Sequence, residues 1–346
     1  RSELSGTGDS RLSAGKLPHG VLDRFIQSYT GEDGRLIVPP GVGEDAAVLD
    51  FGDRYLVAKT DPITFATDAI GWYAVNVNAN DIAVMGAEPR FFLATIILPE
   101  EQATESLVES IFASVHEAAA ELGVTVCGGH TEVTHGIDRP LVVGQMLGEC
   151  APGDLVRSSG LKPGDRVLLT KGMAIEATAI IARERRDDLR ARGFEPEFLD
   201  HCSEYLTNPG ISVVSDARIS RQSGAAIHAM HDPTEGGVAT GLYELALASS
   251  VGLEVKASAL RTSDESARLC AEYNLDPFGV ISSGALLIGC ASHGSRDLVA
   301  ALDAGGIDAW EIATARTEDF GLQLRTDAGL EPLPRFEVDE LTRLFP

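Results

Sequence analysis

Five carboxylates stand beside small residues or proline at places where the chain is expected to turn. They are Asp45 in Glu-Asp-Ala-Ala, Asp61 in Lys-Thr-Asp-Pro, Asp81 in Asn-Asp-Ile-Ala, Glu132 in His-Thr-Glu and Asp232 in His-Asp-Pro-Thr. Singly, each fits an ordinary turn initiator or surface acid. Together they repeat one pattern, an apolar strand, an acidic turn and a helix, and such turns gather at one end of a sheet. Converging carboxylates repel one another unless a hard cation lies between them. Mg²⁺ binds through one or two carboxylates and shares its other positions with water and phosphate oxygens. The chemistry these residues suit is therefore the handling of a nucleotide phosphate with a divalent ion. Gly128-Gly129 and Gly236-Gly237 would let backbone N–H groups approach phosphate closely, the second pair at a helix start. Lys16, Lys59 and Lys171 flank these segments and are candidates to meet phosphate. His130 and His231 read either as bases or as local hydrogen-bonding groups.

Other chemistries leave no mark. The chain has no Gly-x-x-x-x-Gly-Lys-Ser/Thr phosphate loop, no Gly-x-Gly-x-x-Gly fingerprint after a strand and no Ser nucleophile elbow.

The elements that must position these groups follow from periodicity. Leu56-Val57-Ala58 reads as a buried strand that Pro62 stops, leaving Asp61 at its exit. A helix is expected from about Ala69 to Gly86; Asn76, Asn80 and Asp81 inside it suggest a polar task for one face, because Asn and Asp are poor mid-helix residues. A strand at Phe91–Leu98 and a helix at Glu101–Leu122 come next. Val124–Cys127 is expected as a short strand broken by a turn at Gly128–Glu132, and Leu141–Glu149 as another strand. The segment Ala151–Asp165 has the Gly, Pro and Ser content of a junction. Beyond it come a strand at Arg166–Thr170, helices from about Ala174 and at Ile211–Ser223, and a helix opening after Gly237. Further alternating elements lead to a short terminal helix at Val338–Phe345. Interleaved strands and helices in both halves define an α/β or α+β class.

Composition narrows the function classes. The 346 residues are 44% hydrophobic and 23% charged, enough for two domains with their own cores. The formal net charge of −24 argues against nucleic acid or an anionic membrane as partner. No apolar run approaches the ~20 residues of a membrane span. Five widely spaced cysteines, Cys127, Cys150, Cys202, Cys270 and Cys290, form no disulfide or zinc pattern and point to a reducing cytoplasm. The polar start, RSELSGTGDSRLSAGK, reads as a mobile arm without a secretory signal. Only five of the 28 basic residues are Lys, and an acidic, Lys-poor surface suits a salt-rich cytoplasm.

Five motifs in order carry a resemblance. Gly43-Glu44-Asp45-Ala46-Ala47-Val48 is similar to the Gly-Asp-Asp-Ala-Ala signature of the aminoimidazole ribonucleotide synthetase (AIR synthase, PurM-like) superfamily. Thr60-Asp61 matches that superfamily's strand exit, and Asn80-Asp81-Ile82-Ala83-Val84-Met85-Gly86-Ala87-Glu88-Pro89 resembles its Asn-Asp helix. Gly128-Gly129-His130-Thr131 matches its Gly-Gly-x-Thr turn. His231-Asp232-Pro233-Thr234-Glu235-Gly236-Gly237 resembles the His-Asp-Pro-Thr-Arg-Gly-Gly motif of the hydrogenase-maturation carbamoyl dehydratase (HypE-like) branch. The resemblance implies a two-domain α/β subunit, with an arm and short helix at 1–33, an ATP-binding and dimerisation domain at 34–155 and a C-terminal domain at 156–346. It implies a homodimer that binds ATP with Mg²⁺ held by Asp45, Asp61, Asp81 and Asp232. Glu132 is a further candidate ligand, since His130 replaces the family's usual acid. Asp81 and Asp232 are the candidate catalytic residues. Asn80, Gly128, Gly129, Thr131, Gly236, Gly237, Lys16 and Lys59 are candidates to bind the nucleotide.

The implied activity is transfer of phosphate from ATP to an oxygen of a small acceptor, of the amide- or carbamoyl-activating kind. The alternatives are a nucleotide-binding accessory protein of a maturation complex and a kinase of the thiamine monophosphate kinase type. Two departures from the family stand out. The carbamoyl dehydratase carries its modified group on a terminal cysteine, whereas this chain reads Arg343-Leu344-Phe345-Pro346, so that reaction is not carried over as known. Selenophosphate synthetase pairs a Cys or selenocysteine with its N-terminal Lys, and Gly15-Lys16-Leu17-Pro18 has only the Lys.

Overall fold

A computed structural model describes residue 17 and residues 19–41, 44–64 and 68–345. Lys16 and Gly43 lie outside the described residues. In the N-terminal half the order is α1 (His19–Tyr29), β1 (Leu36–Val38), β2 (Ala47–Asp50), β3 (Tyr55–Ile63), α2 (Ile70–Val84), β4 (Glu88–Pro99), α3 (Glu105–Leu122), β5 (Thr125–Thr134) and β6 (Leu141–Cys150). The C-terminal half begins with β7 (Arg166–Thr170), α4 (Ile175–Glu184), α5 (Arg186–Ala191), α6 (Pro196–Ser203), α7 (Val214–Gln222), β8 (Ile227–His231) and α8 (Gly237–Ser249). It ends with β9 (Gly252–Lys256), α9 (Asp264–Glu272), β10 (Leu287–Cys290), α10 (Ser295–Ala304), β11 (Ala309–Arg316), β12 (Leu322–Thr326) and β13 (Gly329–Pro332). The strands form two mixed sheets, one ordered β1-β2-β3-β6-β4-β5 and the other β13-β12-β9-β11-β7-β10-β8. The architecture is mixed α/β, as the sequence implies.

The helix α2 is the hinge-pin of the molecule. Thirteen of its fifteen residues are buried, because the first sheet and α3 cover part of its surface and elements of the C-terminal half cover the rest. A helix buried all round must be apolar or small on every face, and Ala74, Val75, Ala79, Ile82 and Ala83 supply that. One hydrophobic cluster runs through α2 from Val57, Phe92 and Met146 to Val213, Met230 and Ile288, so the two halves share a core. Just past the helix lies Gly86, with φ +79°, where an added Cβ would lie 2.2 Å from the carbonyl oxygen of Asp154.

Three expectations are corrected. Pro62 does not stop β3: the strand pairs with β6 through Pro62↔Val143 and Ile63↔Val142. The reason is local. The neighbour β2 pairs only with Tyr55 to Ala58, so beyond Ala58 one edge of β3 is free of a ladder and the missing Pro N–H leaves no gap there. The segment Gly128–Glu132 is strand, not turn, paired in parallel with β4 through Thr134. Its glycines serve close packing: at Gly129 (φ +152°) a Cβ would sit 2.0 Å from the carbonyl oxygen of Ala94. The C-terminal helix is a 3₁₀ turn, Glu340–Leu344. Among the described residues, no helix is long and apolar enough to cross a membrane.

Candidate functional site

The acidic corners of the two sheets meet between the halves. Asp45 leads into β2, Lys59 and Asp61 lie on β3, Asp81 lies near the end of α2, and Asp232 follows the last residue of β8, His231. Asp45 Oδ1 accepts from His231 Nδ1 at 3.1 Å, and Asp45 Oδ2 accepts from Ser158 Oγ at 2.8 Å. The other ring nitrogen, His231 Nε2, donates to Glu244 Oε2 of α8 at 2.9 Å. Ligand atoms of Asp45, His231 and Asp232 lie within 4.8 Å of one another. Lys59 Nζ stands 3.2 Å from Asp81 Oδ2 and 3.8 Å from Asp61 Oδ2. Asp81 Oδ2 is thus ion-paired with Lys59, while Asp232 Oδ2 is buried without a hydrogen-bond partner.

These contacts set the charges. Burial opposes ionisation of Asp45, but the His231 charge and hydrogen bond, with help from Lys59, hold its carboxyl below the usual range. Burial opposes the charge on His231 too; Asp45 and Glu244 outweigh it and raise the imidazole well above its ordinary value. His231 is thus an imidazolium clamped between two carboxylates. Asp81 is pushed up to about 7, by burial first and by Asp45 and Asp61 next, against the pull of Lys59. Burial raises Asp232 well above the usual range, and the Asp81 and Asp45 charges add to that.

A divalent cation fits this donor set. The buried Asp232 oxygen without a partner carries a desolvation cost that a hard cation would remove. Both nitrogens of His231 are engaged, so the available ligands are the oxygens of Asp45, Asp81 and Asp232, with Asp61 at the more open edge.

The other sequence candidates lie elsewhere. Asn80 is fully buried and its amide bridges the halves: Nδ2 donates to Ile211 O at 2.8 Å and Oδ1 accepts from Val213 N at 2.8 Å. Both polar atoms are engaged, so its place in the structure is that of a bracket between the halves. Asn76 donates back to Trp72 O within the helix. Gly236 N donates to Asp339 Oδ2 at 2.6 Å and Gly237 N to Thr234 O at 3.0 Å, so these N–H groups, expected to face phosphate, are engaged within the chain. Gly128, Gly129, Thr131 and Glu132 lie on the exposed edge strand β5, where Glu132 pairs with His130 at 2.9 Å. Two strands separate β5 from β3, about 14 Å at the usual spacing, which keeps Glu132 out of the acidic junction of its own chain. Lys171 is buried against Asp216 at 3.2 Å and Ser212 O at 2.6 Å, away from the junction acids. Sequence reading missed Ser158 and Glu244, which hold the Asp45–His231 pair; Ser158 sits in the Gly/Ser-rich junction and Glu244 on the polar side of a helix, neither a local signal.

Two mixed sheets meeting through buried acidic corners define the class. Residues 43–150 match the family model of the AIR synthase related protein, N-terminal domain, and residues 162–324 match that of its C-terminal domain. The chain belongs to the AIR synthase related family, with its PurM-like two-domain fold. Among its relatives is the carbamoyl dehydratase HypE of Azotobacter vinelandii, 31% identical over 303 residues, which cover 86% of this chain and 82% of that protein. A putative hydrogenase expression/formation protein of Methanocaldococcus jannaschii is 28% identical over 84% of this chain and 88% of its own length. In fold, the chain resembles HypE in a crystal structure of a HypE–HypF complex (TM-score 0.74, 24% identity, 91% of this chain and 99% of that one). It also resembles HypE solved in complex with ATP (TM-score 0.65, 23% identity, 95% and 97%).

Proposed function

We propose that this protein is an ATP- and Mg²⁺-dependent enzyme that activates an oxygen of a small amide- or carbamoyl-type acceptor by phosphoryl transfer, as a homodimer in the cytoplasm. The observation that carries the reading is the convergence of Asp45, Asp81 and Asp232 from both halves, with Asp232 Oδ2 buried and without a hydrogen-bond partner. The relatives named carbamoyl dehydratase, and the solved ATP complex of a protein of this fold, support the nucleotide. In this reading 34–155 is the nucleotide-binding unit and 156–346 closes over it.

Phosphoryl transfer asks a protein for positioning and charge neutralisation more than for a nucleophile. Asp45, Asp81 and Asp232, with Asp61 at the rim, would hold Mg²⁺, which when bound neutralises phosphate oxygens. His231 keeps Asp45 ionised and oriented, and Glu244 and Ser158 fix that pair from the C-terminal half. Lys59 balances Asp81 and Asp61 and is the cation placed to meet a phosphate. Asp81 and Asp232 remain the candidate catalytic residues of this reading, with the acceptor itself as the nucleophile.

The dimer reading rests on the first sheet. α2 and α3 lie on one side, while Leu93, Ile97, Val143 and Leu147 are only half-buried on the other, next to the exposed Phe91. An open sheet face with apolar residues is a surface for self-association. The test of the activity is ATP turnover with Mg²⁺ against a panel of amides, carbamoyl compounds and phosphomonoesters. Asp81→Asn and Asp232→Asn are expected to abolish turnover; turnover that survives both refutes the assignment.

A further inference from the structure

Lys171, expected to meet phosphate, is instead the side chain that grips a loop behind the acidic junction. It follows β7 directly, its side chain is buried, and its backbone is left-handed, with φ +57°. Glycine adopts that backbone without strain, so what the lysine adds is its ammonium. Nζ donates to Ser212 O at 2.6 Å and to Asp216 Oδ2 at 3.2 Å, while Asp216 Oδ1 accepts from Thr170 Oγ1 at 2.6 Å. The peptides on either side of Ser212 hold Asn80 of α2: Ile211 O accepts from its Nδ2 and Val213 N donates to its Oδ1, each at 2.8 Å. At the far end of α7, Arg221 donates to Glu88 Oε1 at 2.8 Å, just past α2. One three-residue loop is therefore held by a cation of the C-terminal half and by an amide of the N-terminal half. The next residue on α2 is Asp81.

Joining β7 to α7 does not by itself require the lysine, because the Thr170–Asp216 hydrogen bond already does so. The ammonium adds a hold on the backbone of the loop. A site that binds an ion works only within about 0.5 Å of its productive geometry, and groups behind the ligands commonly change metal affinity by about 10–100-fold. Asn80 and Asp81 share a peptide in a buried helix, so a shift of the loop passes through Asn80 to Asp81. We propose that Lys171 is a positioning residue for Asp81: by holding Ser212 O it fixes the Ile211–Val213 loop, which fixes Asn80 and with it the Asp81 carboxylate. Lys171 acts without touching nucleotide or ion. This deepens the phosphoryl-transfer reading and rests on it.

The test reads the affinity of the full chain for a nonhydrolysable ATP analogue by calorimetry, with and without Mg²⁺. Lys171→Met keeps the stem and removes the charge. It is expected to lose at least about ten-fold of the affinity that Mg²⁺ adds, and to keep the metal-free affinity of the wild type. Its melting temperature should also fall, because Asp216 is left as a buried acid without its cation. Two further variants separate positioning from folding. Lys171→Met combined with Asp216→Leu removes the whole ion pair, a change that is often neutral or stabilising; its melting temperature should recover while the Mg²⁺ gain stays low. Leu189→Ala opens a cavity in a core cluster that does not include the loop, and should lower the melting temperature with the Mg²⁺ gain intact. The proposal is overturned by a gain unchanged in Lys171→Met, by a gain restored with stability in the double variant, or by an equal loss in Leu189→Ala. So is it by a fall in metal-free affinity, which would put the ammonium on phosphate. If Lys171→Met does not fold, the double variant decides alone. A wild type that does not bind the analogue, or binds it without help from Mg²⁺, refutes the proposed function; a gain that the wild type and Lys171→Met share refutes only this inference.

Discussion

Asp45 and His231 stand 186 positions apart in the chain and meet at 3.1 Å, an acid from the first sheet and an imidazolium from the second. The pair couples the halves at the point where the remaining acids gather. Replacing His231 with Ala would leave the carboxylates of Asp45 and Glu244 without their shared cation. The expected loss is about 3–5 kcal/mol, the usual cost of breaking a buried pair from one side. Urea unfolding measures it; a loss under about 1 kcal/mol would mean that the contact does not hold the halves together.

Asn80 makes a separate prediction. Asn80→Ala removes two hydrogen bonds and leaves Ile211 O and Val213 N buried without partners. Each orphaned group costs about 1–3 kcal/mol, so the variant should lose roughly 2–6 kcal/mol in the same assay. It should also weaken ATP binding, because Asp81 is the next residue on α2. Nucleotide affinity changed without loss of stability would instead assign Asn80 a direct contact.

Glu176, buried in the first turn of α4 where Tyr73 of α2 feels its charge, gives the pH dependence a sign. Below pH 4.5 it is protonated in both states and makes no difference. Between 4.5 and about 7 the unfolded chain releases the proton while the folded chain retains it, so stability falls as pH rises and levels off above about 7. That interval corresponds to about 3 kcal/mol. Asp81, also raised to about 7, acts in the same direction. Stability measured without metal should therefore fall from pH 5 to pH 8, and Glu176→Gln should flatten part of the fall. A profile that rises over this range would contradict the burial argument.

The bulk charge predicts a response to salt. With a net −24, self-repulsion is screened by added ions, so the melting temperature should be higher in molar KCl than in dilute buffer. A melting temperature that is no higher in salt would remove the link to a salt-rich cytoplasm.

Local patterns carried much of the fold and less of the site. The β7 strand matches its expected span, and the helix expected over Glu101–Leu122 is α3, beginning at Glu105. The acidic corners at Asp45 and Asp232 were legible because Pro, Gly and short acids mark chain reversals, whereas Asp81, expected beside a turn, lies inside α2. β5 was not: Gly-Gly reads as a turn until the parallel neighbour β4 is present to require a missing Cβ. The Asn80 bracket was hidden because its partners are backbone groups 131 and 133 positions away. Ser158, Glu244 and Glu176 were hidden for the same reason, since burial at a junction between halves leaves no periodic trace in either.

The most direct measurement is the affinity for ATP with and without Mg²⁺, in the wild type and in Asp45→Asn and Asp232→Asn. The wild type should bind ATP far more tightly with Mg²⁺ than without it, and each substitution should weaken the Mg²⁺-dependent binding by about 100-fold. ATP affinity that is indifferent to Mg²⁺, or unchanged in both variants, would contradict the account.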